Sequence, residues 1–239
     1  MQDHTSDFEL KSHKILRVGH RGAKGYAPEN TLASFRKALE LKVDMFELDV
    51  RLCRSGELVV LHDETVDRTT DGSGAAGELT LSRLKKLDAG QGEKIPTLEE
   101  VLELAAGKCG INIELKVENT EQPVAGIIAR SVAAGVWTYG HFLISSFDHD
   151  KLRRIGALDP RIRIGPLVTD IPGDFLKTAR ELRAWSVHVA KEYLNSGKVK
   201  EFHEAGLKVI AYTAYSSTEI GRLKALGADG IVSDYPDRI

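Results

Sequence analysis

Apolar positions along the chain change period in a repeating order. Ile15–Gly19 is a short apolar run bounded by charge, the signature of a buried parallel strand. It gives way to LASFRKALELK, where Leu32, Phe35, Ala38 and Leu39 recur at helical spacing and Asn30 or Thr31 stands ready to cap. Asp44–Val50 returns to strand character, and Glu57–His62 reads as a hairpin-like extension beyond it. Further on, Thr97 opens the helix LEEVLELAA, with Glu100 three residues later completing a capping box. Strands predicted over 111–116, 141–146, 162–168, 185–190, 207–213 and 229–233 then alternate with helices over 122–134, 148–157, 173–183, 196–205 and 217–226. Gly135, Gly206 and Gly227 stand just past helices, where a left-handed C-cap favours glycine.

Strict alternation predicts a parallel sheet, and eight strand–helix units in 239 residues favour a closed (β/α)8 TIM barrel, one domain over 1–239. A doubly wound open sheet is the alternative. It would carry a glycine-rich nucleotide turn after its first strand, but GHRGAKG opens with His20 and Arg21 and contains neither GxGxxG nor GxxxxGK[ST]. Residues from about 64 to 96 break the rhythm with RTTDGSGAAGELT and little apolar pattern. They are predicted to form a small insertion after the second strand, a long loop with one short helix, of the kind that often carries function.

Composition narrows the function classes. With 42% hydrophobic residues the chain can bury a large core, and 33 Lys+Arg against 35 Asp+Glu give a net charge of −2. No positive field would draw it to nucleic acid or an anionic membrane, so any anion recognition must be local. The start, MQDHTSDFELKSHK, does not read as a signal peptide, and no apolar stretch approaches bilayer length, so a cytoplasmic protein without stable membrane insertion is expected. Cys53 and Cys109 make neither a disulfide framework nor a zinc pair. The pattern assigns no oligomeric state.

In such barrels chemistry gathers at the C-terminal strand ends. Those ends carry His20-Arg21, Glu47 with Asp49, His62-Asp63, Glu114 with Lys116, Ser145-Ser146, Tyr212-Thr213 and Ser233-Asp234. Side chains alternate across a strand, so Glu47 and Asp49 share one face while Phe46, Leu48 and Val50 share the other, and Glu114 with Lys116 repeats the pattern. If the apolar faces meet the helices, three carboxylates converge on the barrel axis. Three inward carboxylates cannot all stay ionised in a partly dry site without a compensating cation, and hard oxygens without Cys select Mg²⁺, Ca²⁺ or Mn²⁺ over zinc. The plainer alternative pairs Glu47 or Glu114 with Lys116 or Arg21 in a salt bridge. His20 and His62 border the cluster and suit proton transfer near neutrality, while His4, His13, His141, His149, His188 and His203 are read as surface or satisfied residues. Arg21 and Lys116 would neutralise an anion. A phosphodiester needs such a set: a cation, a base and an acid.

At this point the pattern resembles the glycerophosphodiester phosphodiesterase family. The matching stretches are His20-Arg21-Gly22, Pro28-Glu29-Asn30-Thr31, Glu47-Leu48-Asp49-Val50, His62-Asp63, Arg68-Thr69-Thr70 with Gly72, Ile95-Pro96-Thr97-Leu98, Glu114-Leu115-Lys116, Ala211-Tyr212-Thr213, and Gly230 to Pro236. They run in order from about residue 15 to the C-terminus. The resemblance implies a TIM barrel with an insertion after its second strand, and metal-dependent hydrolysis of a small-molecule glycerophosphodiester to sn-glycerol 3-phosphate and an alcohol. It implies metal ligands at Glu47, Asp49 and Glu114, an acid–base pair at His20 and His62, phosphate contacts at Arg21 and Lys116, and Glu29 near the site. Where the family often carries Trp-Thr-Val-Asn, this chain has Tyr212-Thr213-Ala214-Tyr215, which bears on the alcohol preferred. Two other readings follow: the same chemistry on a lysophospholipid, and a non-catalytic barrel that binds phosphodiesters.

Overall fold

The computed structural model describes residues 15–239; the N-terminal stretch read for a signal peptide, with His4 and His13, lies outside them. Eight parallel strands close into a barrel: β1 (Leu16–Gly19), β2 (Met45–Leu52), β4 (Gly110–Leu115), β5 (Phe142–Ser146), β6 (Arg163–Val168), β7 (Ser186–Ala190), β8 (Lys208–Ala214) and β9 (Gly230–Ser233). Pairing of β1 with β2, Val18 opposite Met45, completes the ring. The surrounding helices are α1 (Leu32–Glu40), α3 (Leu98–Ala105), α4 (Glu121–Ala133), α5 (His149–Leu158), α6 (Phe175–Glu181), α7 (Ser196–Glu204) and α8 (Ser217–Leu226). Most boundaries fall within a residue or two of the periodic pattern.

The helix ends follow local chemistry. Thr31, rather than Asn30, caps α1 by accepting from Ser34 N, and Thr97 with Glu100 forms the capping box that starts α3. Gly227 closes α8 in the left-handed conformation (φ +86°).

Alternation along the strands divides the interior. Phe46, Leu48, Val50, Ile111, Ile113 and Leu115 face outward into the apolar layer beneath α1, α3 and α4, and Val187, Val189, Val209 and Ala211 face the layer under α6 and α7. Leu16, Val18, Met45, Leu143, Ile210 and Val232 pack as a separate cluster. The intervening positions of β2 and β4 are polar, and register places Glu47 beside Asn112 and Asp49 beside Glu114. Removing two apolar faces from water supplies the driving force, about 25 cal/mol per Å² buried, and that same burial forces the acids inward.

The hairpin-like extension expected over Glu57–His62 forms, and the insertion after it departs from its predicted character in having a core of its own. β3 (Leu58–Val60) is a distinct ninth strand that runs antiparallel on β2, with Val50 opposite Val60 and Leu52 opposite Leu58. The stretch that follows contains one short helix, α2 (Leu81–Leu84). It is not without a core: Cys53, Val59, Leu61, Val66, Ala76, Leu84, Leu87, Ala89 and Ile95 form their own buried cluster. Their spacing follows turns rather than a fixed period, so no periodic pattern reveals them.

Candidate active site

Two strand pairings deliver the histidines. Gly19 sits beside Ser233 in the β1–β9 ladder and His20 N donates to Ser233 O at 3.0 Å, so the next side chains meet: His20 Nδ1 lies 2.6 Å from Asp234 Oδ1. On the other side Leu61 N donates to Asp49 O, and the Arg51 guanidinium grips the His62 carbonyl at 2.7 and 3.0 Å, which fixes His62 above β2. Its Nδ1 lies 2.6 Å from Asp63 Oδ1. With an ionised carboxylate at Nδ1, each neutral imidazole carries its proton there and leaves Nε2 free for proton transfer. Burial holds both histidines below their usual pKa, against the pull of Asp234 on His20 and of Asp49 and Asp63 on His62.

Between them lies the acidic cluster. One oxygen from each of Glu47, Asp49 and Glu114 falls within 4.8 Å of the others, and all three residues are buried. Burial and then repulsion from Asp49 push Glu47 well above the carboxylate range and Glu114 up to about 7. Burial works on Asp49 too, but Lys116 and Arg21 outweigh it and hold its pKa low. Lys116 Nζ hydrogen-bonds Glu114 and lies 3.1 Å from Asp49 Oδ1; Arg21 Nε lies 3.5 Å from Asp49 Oδ2. The salt bridges anticipated as the plainer alternative therefore exist alongside the cluster. Asp49 Oδ1, although buried, accepts no hydrogen bond. Three hard oxygen donors, one of them without a hydrogen bond, fit a divalent cation, whose charge would offset the repulsion that adds to burial in raising Glu47 and Glu114.

Arg21 is held in place by its backbone. It takes a left-handed φ of +48°, and its N–H donates to Glu47 Oε2 at 2.9 Å. The following Gly22 (φ +88°) must be glycine, since a Cβ there would meet Ser34 Oγ at 2.4 Å. The guanidinium reaches Glu29 at 2.6 Å, and Asn30, also left-handed, donates from Nδ2 to Asp49 Oδ2 at 2.8 Å. Asn30 thus serves the acidic cluster and not the helix cap.

These groups open onto a pocket of about 250 Å³ lined by His20, Arg21, Glu47, His62, Glu114 and Lys116 on one side and by Phe147, Tyr212 and Tyr215 on the other. Asn112 Oδ1 and Ser145 Oγ also belong to pocket-lining residues and are buried without a hydrogen bond.

The glycerophosphoryl diester phosphodiesterase family matches residues 20–238. The chain belongs to that family and is an enzyme of it. It is 38% identical over 237 residues to a glycerophosphodiester phosphodiesterase of Caldanaerobacter subterraneus subsp. tengcongensis, covering 95% of this chain and 96% of that one. To a glycerophosphodiester phosphodiesterase of Bacillus subtilis it is 32% identical over 252 residues, covering 95% and 86%. Its fold superposes on a phosphodiesterase of Oleispira antarctica, solved in complex with the product sn-glycerol-3-phosphate, with a TM-score of 0.86, 34% identity and coverage of 93% and 94%.

All eight residues selected from the sequence gather at this one end of the barrel. Glu29 and Asp49 do not line the pocket: Glu29 stands behind Arg21, and Asp49 is buried against Arg21 and Lys116. The partners of the histidines were less visible. Asp234 and Asp63 appear among the strand-end residues, but nothing local marks which histidine each would meet. Arg68, part of the quoted Arg-Thr-Thr stretch, proves to bind Asp63 and Glu29 together. His188, read as ordinary, faces inward on β7 and lines the pocket, and burial drops its pKa to about 3. Gly165 makes room for it, since a Cβ there would lie 2.5 Å from His188 Nε2. Among the described residues no helix is long and apolar enough to cross a membrane.

Proposed function

We propose that this enzyme hydrolyses small glycerophosphodiesters to sn-glycerol 3-phosphate and an alcohol, in the cytoplasm, with Mg²⁺, Ca²⁺ or Mn²⁺ held by Glu47, Asp49 and Glu114. The observation that carries the reading is the buried three-carboxylate cluster beside a pocket that two carboxylate-backed histidines line. The Oleispira antarctica relative, bound to sn-glycerol-3-phosphate, supports the product. Bound there, a divalent cation supplies charge stabilisation to the phosphoryl oxygens.

The remaining chemistry belongs to side chains. Arg21 and Lys116 meet the phosphate as cations; burial opposes their charge, but the surrounding carboxylates raise both pKa values and keep them protonated. One histidine Nε2 takes the proton from the attacking hydroxyl, of water or of the substrate's own glycerol, and the other returns a proton to the leaving alkoxide. Glu29 holds Arg21 in place. The aromatic wall of Phe147 and Tyr215, 50% and 51% exposed, faces the alcohol. Such rings suit a quaternary ammonium group, which makes glycerophosphocholine the first substrate to test.

The test is release of glycerol 3-phosphate from glycerophosphocholine by the purified protein, run with EDTA and with each cation in parallel. Metal-dependent release that disappears in Glu47→Ala is expected. No release with any cation would overturn the reading, and faster turnover of a lysophospholipid run alongside would reassign the substrate.

A further inference from the structure

The insertion contributes a charged side chain that touches no pocket atom yet ends a chain of ion pairs leading into it. Arg68 sits on the turn after Asp63. That turn is pinned by Val66, fully buried in the insertion's own cluster, with Val66 N donating to Gly74 O and both Thr70 N and Oγ1 donating to Val66 O. From this base the Arg68 guanidinium forks. Nε and Nη2 donate to Asp63 at 2.5 and 3.1 Å, and Nη1 and Nη2 donate to Glu29 at 3.1 and 2.7 Å. Asp63 continues to His62 Nδ1 at 2.6 Å, and Glu29 continues to Arg21 at 2.6 Å. One guanidinium thus fixes the planes of two carboxylates, each of which orients a residue in the pocket.

We propose that Arg68 is a positioning residue, set in place by the insertion, that aligns His62 through Asp63 and Arg21 through Glu29. The proposal rests on the phosphodiesterase reading above and on the assignment of His62 to proton transfer. Three observations support it. His62 and Asp63 are sequence neighbours just past β3, beyond the last ladder pair at Val60, so no strand register holds the Asp63 side chain. Asp63 hydrogen-bonds through its side chain to His62 and Arg68, so loss of Arg68 leaves it free to rotate away from Nδ1. Arg68 is also 49% exposed at its side chain, so its ion pairs add little to global stability and their consequence is geometric. A bidentate fork explains why arginine stands here: lysine offers a point charge and cannot fix two carboxylate planes at once.

The experiment compares wild type, Arg68→Ala and Arg68→Lys, with Arg83→Ala on the exposed face of α2 as an insertion control. Steady-state release of glycerol 3-phosphate is measured with and without added guanidinium chloride at low millimolar concentration, and melting temperatures are recorded alongside. Expected for Arg68→Ala is a roughly 10- to 100-fold fall in kcat, the scale of a misplaced catalytic group. Melting should change by no more than a few degrees, and guanidinium should restore part of the rate. Arg68→Lys should recover less than free guanidinium does, and Arg83→Ala should match wild type. A second readout does not depend on turnover: ¹⁵N NMR of the ring nitrogens should show His62 locked with its proton on Nδ1 in wild type and as a tautomer mixture in Arg68→Ala. Wild-type kcat in Arg68→Ala, or a loss that follows melting and is not rescued, would overturn the positioning role. If wild type releases no product while the tautomer still shifts, the phosphodiesterase reading fails and the alignment of His62 by Arg68 stands.

Discussion

The two histidine–carboxylate pairs have the same 2.6 Å contact and are built in different ways. His20 and Asp234 are 214 residues apart and meet because the β1–β9 ladder closes the barrel. Adjacent backbones carry them, and the His20 N to Ser233 O bond leaves the pair little freedom. His62 and Asp63 are neighbours in the chain at the root of the insertion, where the ladder has ended, and a third residue braces their carboxylate. A sheet register thus does for one pair what an ion-pair fork does for the other. At the second pair no ladder bond reaches Asp63, so its side-chain plane is set by the Arg68 fork.

Several changes would break or sharpen that contrast. The largest effect should come from the histidines themselves: His20→Ala and His62→Ala are each expected to lower kcat by about 10²–10⁴-fold, read by product release. Near wild-type turnover in either would remove that residue from the mechanism. Next come the carboxylates. Asp234→Asn and Asp63→Asn should each cost on the order of 10- to 100-fold in kcat with folding intact, since an amide can favour the wrong tautomer and presents no charge to an imidazolium. The comparison is sharpest in double mutants. Asp63→Asn combined with Arg68→Ala should fall well short of the product of the two single effects, keeping only the part that Arg68 exerts through Glu29, whereas Asp234→Asn combined with Arg68→Ala should be near the product of the two. Additivity in both would mean that Arg68 does not act through Asp63.

The smallest effect concerns acid stability. Glu29 is partly buried, which alone would raise its pKa, but Arg68 and Arg21 bring it from 4.5 down to about 2. Its folded pKa is thus depressed, so its contribution is complete above about 4.5 and is lost as pH falls from 4.5 toward 2. Melting temperatures recorded across that window should fall more steeply for wild type than for Glu29→Gln. Parallel slopes would show that Glu29 carries no such linkage.

Periodicity made most of the fold legible. The spacing of Leu32, Phe35, Ala38 and Leu39, the Thr97–Glu100 box and Gly227 placed helices that the structure reproduces closely. Alternation in the strands predicted over Asp44–Val50 and 111–116 also placed Glu47, Asp49 and Glu114 on the inward face, and their carboxylates converge. Less could be read from the insertion, whose core residues Val66, Leu84 and Leu87 follow the turns of a loop and repeat at no fixed interval. The sequence offered Asn30 or Thr31 as the cap and could not choose between them; Thr31 caps, and a left-handed backbone turns the Asn30 side chain onto Asp49.

What the sequence by itself determined is whatever depends on neighbours a few residues away: strand and helix periods, caps, and the face on which each carboxylate lies. Those follow from backbone geometry that repeats every two or 3.6 residues. The tertiary structure alone decided which charges meet. Asp234 reaches His20 only when the last strand closes on the first, and Arg68 reaches Glu29 only when the insertion folds onto its own small core. Such meetings depend on register and chain closure over tens to hundreds of residues, and no local spacing encodes them.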